Sequence, residues 1–281
     1  MGEPLEYHDF VAEARSVTDE LVKVELGDAH AVVTLHDPKK LNVLSAALTV
    51  QLHDQLHELV ADPAVKAIVL TGTDPAFSAG GDLRLMAGYA QDQIRAGAGG
   101  TTEIWRWIRG QFGGVVRTIV GADKAFVAAV NGAAAGVGLA FALACDVIVA
   151  SERARIVPAF GRIGLLPEVG TSWLLTRRLG YQRTFGLFAE GRHLSGADAH
   201  ELGLANEVTD HDDLMPAALR WAERIAALPP HVVPMMKPLL RGAADMTWDQ
   251  AIAMEEFAEP GTFTTQAHKD AVAELLARSG G

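Results

Sequence analysis

A single cysteine, Cys145, stands in the 281 residues, which excludes an intramolecular disulfide and any metal site built on several thiolates. It sits in an apolar helical stretch, so a buried structural thiol is expected rather than a nucleophile. Basic residues are in deficit: 24 Lys and Arg face 35 Asp and Glu, for a net charge of −11. That balance excludes nucleic acid and anionic membranes as general partners. It leaves room for a small polyanion, because local Lys and Arg and helix N-termini hold phosphates even on acidic proteins. No apolar run is long enough to span a bilayer. The N-terminus carries Glu3, Glu6, Asp9 and Glu13 and neither a secretory nor a transit pattern. A cytoplasmic protein follows as the expectation, and its 49% hydrophobic content suffices for one α/β core with an appendage.

What is present is organised around Ala125-Phe-Val-Ala-Ala-Val130-Asn131-Gly132-Ala-Ala-Ala-Gly136-Val137-Gly138-Leu-Ala140. An apolar run ended by Asn-Gly predicts a buried strand and a sharp turn, followed by a close-packed helix. With so few side chains, what it offers a ligand is backbone N–H at a helix N-terminus. The glycine spacing also fits the phosphate turn of a short-chain dehydrogenase, but the Tyr-x-x-x-Lys of that chemistry is missing. Tyr7, Tyr89 and Tyr181 are followed four residues later by Val11, Gln93 and Phe185.

A second strand, Ala67 to Thr71, leads into Asp74-Pro-Ala-Phe77-Ser78-Ala79-Gly80-Gly81-Asp82-Leu83. Strand, glycine turn and helix start are thus used twice, and two such amides converging on one atom form an oxyanion hole. The pair of motifs, with Cys145-Asp146 closing the second helix, resembles the crotonase (enoyl-CoA hydratase/isomerase) superfamily from about Leu21 to about Lys237. The resemblance implies an α/β fold, a spiral of repeated ββα units over residues 1–209, with a helical C-terminal region over 210–281 that covers the site and forms trimers or hexamers. It implies an acyl-CoA or enoyl-CoA thioester as substrate, CoA entering with it, and no separate cofactor. By position, the amides of Gly81 and Val137 are the oxyanion donors. Lys40, Asn42, Ala79, Gly80, Asp82, Gly136, Gly138, Ala140 and Phe160 are carried over as substrate or CoA contacts, and Met86 and Trp107, between the two turns, as walls of the acyl pocket. Lys269 transfers only loosely, because the family's closing Glu-Lys-Arg-x-Pro-x-Phe is absent.

Along the chain, Leu21 to Leu26 and Ala31 to Leu35 around Gly27-Asp28 predict a β-hairpin. Ser45 caps a helix carrying Leu48, Leu52, Leu56 and Leu59. That helix contains His53-Asp-Gln-Leu-His57, which lacks the glutamate of a zinc-binding His-Glu-x-x-His and any third ligand, so no metal is expected. Residues 1 to about 20 show no clear periodicity and read as an extension. Gly97-Ala-Gly-Gly100 reads as a mobile break. Ser195-Gly-Ala-Asp198 predicts a capping box, and Asn206-Glu-Val208 a last short strand.

The chemistry turns on carboxylates. Hydratases of the family use two glutamates, and the matching positions hold Ala140 and Phe160, neither able to activate water. The run Gly164-Leu-Leu-Pro167-Glu168-Val-Gly170 instead resembles the loop of the isomerase branch, which places one acid at Glu168. One carboxylate suffices for a proton shuttle, since the base that takes the proton becomes the acid that returns it. Read without the family, Glu168 is a carboxylate just ahead of a helix, favoured there by the dipole alone.

Overall fold

The computed structural model describes residues 6–279; Met1 to Leu5, with Glu3, and the closing Gly280-Gly281 lie outside the described residues. Among the described residues ten strands form two sheets: β1 (Val22–Leu26), β2 (His30–Leu35), β3 (Ala67–Gly72), β4 (Ala76–Ser78), β5 (Ala125–Val130), β6 (Ala133–Ala135), β7 (Val147–Ser151), β8 (Arg155–Val157), β9 (Leu194–Ser195) and β10 (Glu207–Thr209). The larger sheet runs β1-β2-β3-β5-β7-β10 and the smaller β4-β6-β8-β9. Each of three successive turns lays one strand in the large sheet and the next in the small sheet, then closes with a helix: β3-β4, β5-β6 and β7-β8. That is the expected ββα spiral.

Burial explains the strand sequences. β3 (AIVLTG) and β5 (AFVAAV) are covered on both faces and are buried at every position, so they read as continuous runs rather than alternations. β2, nearer the edge, alternates buried and half-buried residues. On one face of the large sheet lies the main core, with Phe77, Phe126 and Phe141 fully enclosed. On the other, the helix Leu214–Ala226 seats Ala217, Ala218 and Ala222 against Val69, Val127 and Val149. The first full helix past residue 210 therefore packs on the core sheet. Asp146, at the entry to β7, holds the helix Val232–Ala243 through Lys237 (2.9 Å) and Arg241 (2.7 Å). No helix among the described residues is long and apolar enough to cross a membrane.

The local signals are realised where they were expected. β1 and β2 pair antiparallel, Ser45 Oγ accepts the amide of Leu48, and Ser195 and Asp198 form the reciprocal capping box. Two further expectations gain detail. The N-terminal extension is a helix over Tyr7–Arg15 with Val11 and Ala14 buried. The helical stretch does break here, between Gln91–Arg95 and Ala98–Trp107, at a tight corner where Gly97 takes φ 115° and Gly100 lies so close to the backbone of Gln93 that no Cβ fits. Cys145 is buried, and burial pushes its thiol up to about 12.

Candidate active site

The two glycine turns are brought side by side by the small sheet, where Ala76 pairs with Ala133 and Ser78 with Ala134. Contact continues past the strand ends. A Cβ on Gly80 (φ 90°) would lie 2.6 Å from the carbonyl oxygen of Ala135, and one on Gly138 would lie 2.7 Å from Ser78 Cβ. Only glycine permits this approach, and the left-handed backbone at Gly80 excludes other residues independently. Gly81 and Val137 each follow a turn of this touching pair. Val137 is the first residue of the helix Val137–Ala144, where N–H groups lack intrahelical acceptors. Neither amide donates to an acceptor among the described residues.

Asn42 fixes the first turn. Its Nδ2 donates to the carbonyls of Thr73 (2.7 Å) and Ala76 (2.6 Å), its Oδ1 accepts the amide of Asp37 (2.9 Å), and its own carbonyl accepts Ser78 Oγ (2.8 Å). The side chain is fully buried. This corrects its assignment as a substrate contact: every polar group is occupied inside the protein. Neighbouring links complete the clamp, with Ala79 N–H donating to Leu41 O (2.9 Å) and Leu44 N–H to Gly80 O (2.8 Å). Asn42→Ala leaves two buried carbonyls without their donor. We expect a loss of about 3 kcal/mol of folding free energy, read by urea denaturation.

A cavity of about 520 Å³ opens beside this turn, lined by Asp82, Met86, Trp107 and Glu168 with Leu85, Tyr89 and other mainly apolar residues. Met86 links cavity to turn, its Cε lying where a Cβ on Gly81 would approach to 2.7 Å. The expected pocket walls, Met86 and Trp107, and the expected acid, Glu168, thus share one enclosure with Asp82. Asp82 Oδ1 also accepts the amide of Arg84 at 2.8 Å and starts the short helix Leu83–Leu85. Two π turns, Met86–Ala90 and Ile108–Phe112, face the cavity, a distortion common at functional sites.

Glu168 sits half-buried on a turn set by its own carbonyl, which accepts both N–H (2.9 Å) and Oγ1–H (2.8 Å) of Thr171. Its carboxylate has no hydrogen bond or ion pair among the described residues, and no side chain caps the helix Thr171–Leu179. The cap reading of this residue therefore has no bond to support it. Burial pushes the carboxyl pKa up, since the charged form loses water and gains no partner. The next residue, Val169, has φ 45°, a costly conformation for a β-branched side chain and one that clusters at functional sites.

Other expected contacts fall elsewhere. Ala140 is buried within its helix, and Phe160 is buried against Phe188 with ring centroids 6.2 Å apart. Neither lines the cavity, and both positions are filled by core. Ala79 is exposed beside the turn, Gly136 (φ 51°) supplies the bend before Val137, and Lys40 is exposed and paired with Asp37 at 3.3 Å. Lys269 lies on the C-terminal helix Gln266–Ser279. His53 and His57 face a separate recess with Arg117, their Nε2 atoms 3.3 Å apart. Sequence reasoning missed Tyr89 as a wall and the left-handed Val169. The clue to the first was an aromatic residue three positions after Met86; nothing local announces the second.

The enoyl-CoA hydratase/isomerase family matches residues 25–276. Among curated proteins, the 1,2-epoxyphenylacetyl-CoA isomerase of Escherichia coli (strain K12) is 29% identical over 88% of this chain and 91% of its own length. The mitochondrial enoyl-CoA hydratase of Pongo abelii is 30% identical over 87% of this chain and 80% of its own. Among solved structures, an enoyl-CoA hydratase from Polaromonas sp. JS666 superposes with a TM-score of 0.82 at 28% identity, covering 92% of this chain and 97% of the other.

Proposed function

The chain belongs to the enoyl-CoA hydratase/isomerase family, and from that premise we propose that it moves a double bond within an enoyl-CoA, with Glu168 as the single acid/base. The observation that carries this is the unpaired Glu168 carboxylate in a mainly apolar cavity that also holds Asp82, next to Gly81. In a β,γ-enoyl-CoA, Glu168 takes a proton from the α-carbon. The C–H electron pair enters conjugation, and the thioester oxygen becomes negative. The amides of Gly81 and Val137 donate to that oxygen, each worth roughly 3 kcal/mol. When the carbonyl re-forms, the α–β bond becomes double and the former β,γ pair takes the proton back from Glu168 at the γ-carbon. CoA enters with the substrate and no separate cofactor is used.

Hydration needs a base to activate water and an acid to protonate carbon. The two positions that would supply them hold buried Ala140 and Phe160, which disfavours that reading. The relatives carry both names, isomerase and hydratase, so the reading rests on the site. One free, buried cysteine is in keeping with a cytoplasmic setting. We further propose a trimer-based assembly. Trp248 (74% exposed), Phe257 (90%) and Leu276 (68%) stand on the C-terminal helices with no cover from the described residues, and light scattering reads the result directly.

The pH dependence tests the base. Only ionised Glu168 can take the α-proton, and burial raises its pKa. The rate of β,γ-to-α,β migration should therefore fall as pH drops through a value above the ordinary ~4.3 of a glutamate. A kcat/KM profile measured with a β,γ-enoyl-CoA that stays flat to pH 4.3 would count against Glu168 as the base.

A further inference from the structure

The helix Tyr7–Arg15 precedes residue 25, where the family match begins. Its Phe10 ring stacks on Tyr89, with centroids 3.9 Å apart and planes at 11°, and meets Trp107 edge-on at 5.2 Å. Tyr89 and Trp107 both line the cavity, on opposite sides of the corner at Gly97. Two more bonds tie the helix to the second wall: the amide of Tyr7 donates to Glu103 Oε2 (2.6 Å), and Gln111 Nε2 donates to Tyr7 Oη (3.0 Å). Gly110 lacks the Cβ that would strike the Tyr7 hydroxyl.

The wall between Leu83 and Gly97 needs such support. Of its residues only Gln93 is buried, and Leu83 and Ile94 are exposed. A segment with so few buried contacts opens at low cost, so its position is set by whatever packs behind it. We infer that the N-terminal helix is a specificity element, with Phe10 the positioning residue that packs on both Tyr89 and Trp107 and so fixes the width of the cavity for the far end of an acyl chain. This rests on the cavity being the acyl site. Phe10 does not line it, and acts only through the two rings.

The test is binding of saturated thioesters, which have no double bond to migrate, by calorimetry on the full chain. Wild type should bind octanoyl-CoA more tightly than butyryl-CoA. Phe10→Ala should weaken octanoyl-CoA about tenfold, as expected from losing two ring contacts, and leave butyryl-CoA within about twofold because its chain ends short of the far wall. Phe10→Tyr keeps the ring and should restore the wild-type ratio. If Phe10→Ala fails to fold, Phe10→Leu retains apolar bulk without the ring and should shift the ratio in the same direction. Equal weakening of both ligands, or of neither, overturns the inference. Chain-length-dependent binding without isomerisation would sink the catalytic reading and leave this one standing; absence of any acyl-CoA binding would sink both.

Discussion

Glu168→Gln is expected to lower β,γ-to-α,β migration about 10³-fold, within the range general acid–base groups contribute, while acyl-CoA binding stays close to wild type. The amide keeps the shape of the side chain and cannot exchange the proton. Solvent deuterium should also cease to enter the α-carbon, because the same carboxylate opens that C–H bond. Stability should move in the opposite direction to activity. Burial raises the Glu168 pKa in the folded protein, so the native state is penalised for holding the charge as pH rises from the unfolded value through the folded one. Gln carries no such penalty, and the variant should be at least as stable as wild type near neutrality. That advantage should vanish below about pH 4, where both states are protonated. A helix-cap glutamate would give the reverse: lost stability and preserved turnover.

Gly80→Ala should be the most damaging single methyl in the molecule for catalysis. It forces a Cβ to within 2.6 Å of the Ala135 carbonyl at a φ of 90°. The strain alone is worth roughly 2 kcal/mol, and relief requires the two turns to part. Separation would move the Gly81 amide off the oxygen it is proposed to share with Val137. Losing one oxyanion donor predicts a fall in kcat of about 10²-fold or more. Gly186, helical and with nothing within 4 Å of its Cβ position, is the control: Gly186→Ala should raise stability slightly and leave the rate unchanged. Parallel kcat measurements and urea denaturation separate the two effects. If Gly80→Ala turns over at the wild-type rate, the donor geometry does not depend on the approach of these turns.

What could be read in the chain was what short range decides. The caps at Ser45 and Ser195, the hairpin at Gly27-Asp28 and the buried strands follow from neighbouring residues, and they form as expected. The two glycine turns were legible because close backbone approach leaves a mark in composition. The N-terminal helix was not: its charged residues hide a single apolar face, and the partners that complete that face, Tyr89 and Trp107, come from far along the chain. Asn42 was carried over as a ligand contact from the family resemblance, and sequence alone does not reveal the partners that folding gives its side chain. Val169 is the clearest loss. Valine disfavours a positive φ, and only the turn in which Glu168 O accepts two bonds from Thr171 holds it there.

The most direct measurement of the central claim is the ratio of two rates of the wild-type protein: double-bond migration in a β,γ-enoyl-CoA and hydration of crotonyl-CoA. If Glu168 is the single acid/base, and the buried Ala140 and Phe160 stand where the family resemblance places the hydratase carboxylates, migration should exceed hydration by about 10²-fold or more, the contribution of a missing acid–base group. Hydration of crotonyl-CoA as fast as migration would contradict the account.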